Sequence, residues 1–78
     1  MDIRTLYLEA SVDASTQYAT VYRRDTFTPV GTLQQRRVLS LAPNWRVYGV
    51  DGGTEIGQGF YSARQAMFAL EKTLYDFN

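Results

Sequence analysis

The chain has 78 residues with no cysteine and no histidine, so it has room for one small domain and lacks disulfides, thiolate chemistry, the usual zinc sets and the one side chain that titrates near neutrality. Eight basic and eight acidic residues cancel, which removes the bulk positive field that holds nucleic acid non-specifically. The composition, 45% hydrophobic and 21% charged, is that of a folded globular protein, but by surface-to-volume scaling so short a chain buries only roughly 60–65% of its unfolded surface.

Ile3 to Val12 alternates, with Leu6, Leu8, Ala10 and Val12 on one side and Thr5, Tyr7, Glu9 and Ser11 on the other, which predicts a half-buried strand over 3–12. Asp13 to Thr16 has turn composition. A second strand is predicted over 18–24, with Ala19 and Val21 opposed to Tyr18, Thr20, Tyr22 and Arg24. The segment 25–31, with Pro29 and Gly31, reads as a loop of open conformation that Phe27 and Val30 could hold down by packing inward. A third strand is expected over 32–41, its polar first half at an edge, and Ala42-Pro43-Asn44 is a turn.

The strongest local signal follows. Short alternating runs over 45–50 and 55–60 flank Asp51-Gly52-Gly53-Thr54, whose glycines supply the positive φ of a tight hairpin. Ser62 and Gln65 stand at capping-box spacing, which marks a helix over 63–77. Ala63, Ala66, Met67, Leu70, Leu74 and Phe77 form its expected core stripe, with Arg64, Phe68, Glu71 and Tyr75 on a neighbouring stripe.

The resulting fold class is α+β: a single domain over 1–78 in which an antiparallel sheet of four or five strands carries one C-terminal helix on one face. One helix leaves the other face open, where Thr5, Tyr7, Glu9, Tyr18, Thr20, Tyr22 and Arg24 are expected, joined by Arg46 and Tyr48. Tyrosine and arginine are the types enriched at interface hot spots. Tyr7, Tyr18, Tyr22, Arg24 and Arg46 are therefore the candidate partner-binding residues. Seven of the eight basic residues are arginine, which forks onto carboxylates and stacks on rings at lower ordering cost than lysine. The stripe of Arg64, Phe68, Glu71 and Tyr75 is self-complementary across a two-fold axis, with Arg64 of one copy facing Glu71 of another, and predicts a weak homodimer.

The glycines at 49, 52, 53, 57 and 59 lie in and around a hairpin rather than between a strand and a helix N-terminus, so turn and bulge roles explain them better than a phosphate cradle. Asp51 and Glu55 flank the same turn and lack a further ligand or general base nearby. No catalytic set, metal or cofactor is implied, and a non-enzymatic protein is expected. No apolar run reaches the roughly 18–20 residues of a membrane span, and no secretory leader is visible, so a cytoplasmic protein is expected.

The pattern Trp45-x-Val47, Asp51-Gly52, Gly59-Phe60-x-Ser62-x-x-x-Ala66 resembles the end of the small sheet-and-helix modules that bind arm sites in phage-type integrases, which implies a nucleic-acid-binding sheet with tyrosines on bases and Arg23, Arg24, Arg36, Arg37 and Arg46 on phosphates. The whole-chain profile of a short sheet-and-helix chain without a catalytic set is similar to small phage or mobile-element accessory proteins of the anti-CRISPR inhibitor type. That resemblance implies a protein partner in a host defence or nucleic-acid-processing complex.

Overall fold

In the computed structural model, which describes residues 1–13, 15–36 and 44–75, the first expected strand is two strands. β1 spans Asp2–Arg4 and β2 spans Leu8–Ser11. They pair antiparallel through Ile3↔Ala10 and Arg4↔Glu9, so the chain reverses at Leu6 and Tyr7. The reason lies in the phase of burial. Ile3 and Thr5 are buried at odd positions and Leu8, Ala10 and Val12 at even ones, and a single strand of period two cannot carry both sets to one face. The reversal shifts the phase and turns Leu6 out, 68% exposed, which corrects its expected place beside Leu8. The turn is closed by Thr5 N–H donating to Leu8 O at 2.9 Å and Leu8 N–H donating to Thr5 Oγ1 at 3.1 Å.

β3 (Tyr18–Arg23), β4 (Pro29–Gln35), β5 (Trp45–Gly49) and β6 (Glu55–Phe60) continue an antiparallel meander of six strands in sequence order, rather than four or five. The segment 25–31 resolves into a turn and the start of β4. Phe27 N–H donates to Arg23 O at 2.8 Å and Arg23 N–H to Thr28 O at 2.9 Å, which places Phe27 at φ 54°. Phe27 is 67% exposed instead of packing inward. Pro29 is tolerated as the first residue of its strand, and Val30 is bulged, since Tyr22 pairs with Pro29 and Val21 with Gly31. The far half of the expected strand over 32–41 lies outside the described residues.

Helix α1 (Ala63–Tyr75) lies on one face of the sheet, against β4, β5 and β6, and also reaches β1 at the opposite edge, so the sheet curves around it. Its start is the expected capping box with one variation: Ser62 Oγ accepts from Gln65 N–H at 3.2 Å, while Gln65 Oε1 accepts from Tyr61 N–H at 3.0 Å, one residue further back than the Ser62 amide. The sheet opposite the helix carries the row Ala19, Leu33, Val47, Gly57 and the row Val21, Gly31, Gly49. Leu8, Val21, Leu33, Val47, Met67 and Leu70 are fully buried between the layers. Gly31 is the notch that admits Leu70. A Cβ there would stand 2.7 Å from both Leu70 Cδ2 and the Tyr48 carbonyl oxygen.

The buried side of α1 is Ala63, Ala66, Met67, Leu70 and Glu71. Glu71 is thus inside, 3% exposed, and Leu74 is outside at 44%, which reverses the expected assignment of those two. The β1–β2 turn decides this, because it lies over the Glu71 side of the last turns and offers hydrogen-bond donors that an apolar residue could not satisfy. Phe77 lies outside the described residues.

Candidate interaction face

The face of the sheet turned away from α1 is built by the out-pointing half of each alternation. Cross-strand pairing sets Thr20, Thr32, Tyr48 and Glu55 in one row, and Tyr18, Gln34, Arg46 and Gln58 in the next. Tyr22 lies opposite Glu9, whose carboxylate pairs with Arg4 at 3.3 Å. Tyr18 is 69% exposed and Tyr22 37%, while Arg46 and Tyr48 are half-buried among their neighbours. Three of the five candidate partner-binding residues, Tyr18, Tyr22 and Arg46, therefore share one rigid surface, joined by Tyr48.

The other two are elsewhere. Thr5 is buried, and Tyr7 sits in the β1–β2 turn with its ring stacked on Tyr75, centroids 4.5 Å apart at 29°. The Tyr7 amide donates to Glu71 Oε2 at 2.9 Å and its carbonyl accepts from Arg24 N–H at 2.9 Å. Arg24 Nη1 donates to the Thr5 and Leu6 carbonyls at 3.0 and 3.3 Å, so its guanidinium holds the turn. The expected placement of Tyr7 and Arg24 on the open face is corrected by that turn: once the chain reverses after β1, residues 5–7 leave the sheet surface, donate to the Glu71 carboxylate of α1 and accept from Arg24 just after β3.

The helix stripe is also rearranged. Arg64 Nη1 donates to the Arg4 carbonyl at 3.2 Å across to β1, Phe68 is 50% exposed, and Tyr75 is half-buried against Tyr7. Glu71 accepts from the Thr5 hydroxyl and the Tyr7 amide inside the fold, so it is not on the outer surface to meet Arg64 of a second copy.

The β5–β6 hairpin shows where its acidic residues go. Asp51 Oδ1 accepts from the Gly53 and Thr54 amides at 3.1 Å each, and Oδ2 accepts from the Thr54 hydroxyl at 2.9 Å. The Thr54 amide, then its hydroxyl, then the Gly53 amide hold the Asp51 carboxyl below the ordinary aspartate value. Both of its carboxylate oxygens bond within the turn. Gly52 at φ 74° and Gly59 at φ 79° are the turn and bulge positions that need glycine.

One recess was missed by sequence reasoning. Asp2, Glu9, Ala10, Ser11, Tyr22 and Phe27 line an open groove of about 280 Å³ at the β1–β2 side of the sheet. The signal available was an aromatic residue inside a segment of turn composition, Asp25-Thr26-Phe27-Thr28-Pro29.

Among the described residues no helix is long and apolar enough to cross a membrane. Compared with known proteins, the chain matches no family model, and neither a curated protein nor a solved structure matches it significantly.

Proposed function

We propose that this chain is a non-enzymatic protein-binding module that docks a partner on the uncovered sheet face, in the manner of the small phage inhibitors that block a host defence or nucleic-acid-processing complex. The observation that carries this reading is the gathering of Tyr18, Tyr22, Tyr48 and Arg46 on one six-stranded surface opposite the helix. Tyrosine brings large contact area with a polar tip at low entropic cost, and a sheet holds the rings without further ordering. The disposition of arginines favours a protein partner over nucleic acid. Arg4 pairs with Glu9, Arg23 with Asp25 at 2.9 Å, and Arg24 and Arg64 bind backbone carbonyls, which leaves no continuous phosphate-tracking stripe among the described residues.

The test is affinity capture from host lysate with nuclease treatment, comparing the wild type with Tyr18→Asp and Arg46→Glu. A protein retained in stoichiometric amount by the wild type and lost with both variants is the expected result. Recovery of nucleic acid alone, with affinity that falls steeply in salt, would overturn the reading.

A further inference from the structure

The groove of Asp2, Glu9, Ala10, Ser11, Tyr22 and Phe27 brings two carboxylates and two aromatic rings into one recess. Asp2 and Glu9 come from neighbouring strands, and Tyr22 stands directly across from Glu9 on β3. Glu9 has Arg4 on one side, Nε to Oε2 at 3.3 Å, whereas Asp2 makes no ion pair among the described residues, so the groove keeps one uncompensated negative charge. Phe27 is held out by its own turn. Its N–H donates to Arg23 O, the Arg23 N–H donates to Thr28 O around it, and a 2.7 Å hydrogen bond between the Thr26 and Thr28 hydroxyls braces the residues on either side of its left-handed backbone. The ring remains 67% exposed beside Tyr22.

We infer that this groove takes an arginine side chain of the protein partner. A planar guanidinium stacks on an aromatic face while its edge forks onto carboxylates, and the groove presents both at once. Its volume, about 280 Å³, suits one side chain rather than a segment of chain. This inference rests on the protein-binding reading above and adds what the partner must supply: an arginine projecting at the edge of its contact with Tyr18, Tyr22 and Arg46.

The test uses the whole ¹⁵N-labelled chain titrated with acetyl-Gly-Arg-Gly-amide and with the same peptide carrying citrulline, which keeps the shape and loses the charge. Chemical-shift changes confined to the amides of Asp2, Glu9, Ser11, Tyr22 and Phe27 are expected with the arginine peptide. Binding is expected to weaken about tenfold with citrulline, with Asp2→Asn and with Phe27→Gly. Asp2 is exposed and Phe27→Gly relieves a positive φ, so neither variant is expected to unfold, and their amide spectra check this directly. Absence of shifts up to the solubility limit of the peptide, or equal shifts with citrulline, overturns the inference. A groove silent to arginine alongside a partner still captured through Tyr18 and Arg46 removes this inference alone, whereas arginine binding without any captured protein removes the parent reading alone.

Discussion

The hydroxyl of Thr5 donates to the carboxylate of Glu71, 66 residues further along the chain, and this bond ties the first turn of the sheet to the last helix. Glu71 Oε2 also accepts from the Tyr7 amide at 2.9 Å, while Thr5 Oγ1 itself accepts from Leu8 N–H at 3.1 Å, so the Thr5 hydroxyl and that carboxylate oxygen each make two bonds. Thr5→Val keeps the shape and removes the donor, at an expected cost of about 1–3 kcal/mol, because the buried carboxylate loses a hydrogen bond that water cannot replace. Glu71→Ala should cost at least as much by stranding the Tyr7 amide. Urea unfolding of both single variants and the double variant checks the pairing: a coupling of about 1–3 kcal/mol is expected, and simple additivity would contradict it.

Gly31 and Gly53 differ in what surrounds them. Gly31→Ala drives a methyl to within 2.7 Å of a Leu70 methyl and the Tyr48 backbone oxygen, whereas a Cβ at Gly53 meets nothing within 4 Å. Gly31→Ala is expected to destabilise by about 1–3 kcal/mol, as overpacked sites do, and Gly53→Ala to stay within about 0.5 kcal/mol of the wild type. Thermal or urea unfolding separates the two.

Phe27 is the one non-glycine residue with positive φ among the described residues. Its exposed ring gives little burial to offset that backbone, so Phe27→Gly is expected to leave stability unchanged or raise it by up to about 1 kcal/mol. A loss of more than about 1 kcal/mol on urea unfolding would mean that the ring packs in solution.

The Asp51 carboxyl is held below the ordinary aspartate value of 3.8 by the Thr54 amide first, then the Thr54 hydroxyl and the Gly53 amide. A depressed folded value means that the folded state favours the ionised form. Its contribution to stability is present above the unfolded value and is lost as pH falls through the folded one. The wild-type urea midpoint should therefore drop more between pH 6 and pH 3 than the midpoint of Asp51→Ala, a comparison anchored to the ordinary value of 3.8.

Phe68 is half exposed, so Phe68→Glu is expected to remain folded at a cost below about 1 kcal/mol. Sedimentation of the two forms measures what that ring adds to self-association when Glu71 is turned inward. A Phe68→Glu chain that unfolds would place the ring in the core.

Sequence alone determined the elements whose stabilising bonds are local. The hairpin at Asp51 and the helix start at Ser62 and Gln65 close through hydrogen bonds between residues at most five apart in sequence, so composition and spacing were sufficient to find them. The alternation of Tyr18 to Arg24 likewise placed Tyr18 and Tyr22 on the face away from Ala19 and Val21. Tertiary structure decided the rest. Thr5 turns inward and Leu6 outward because the chain reverses to pair Ile3 with Ala10 and to meet Glu71, and Pro29 to Gly31 join the sheet by pairing with Tyr22, Val21 and Gly49, which sets Gly31 against Leu70. Glu71 is buried only because donors 64 and 66 residues away are delivered to it, and a helical wheel, which contains no information about the opposite end of the chain, places Leu74 there instead. The pairing of carboxylates with Tyr22 and Phe27 in one groove is of the same kind, since β1, β2 and the β3–β4 turn meet only after the sheet has formed.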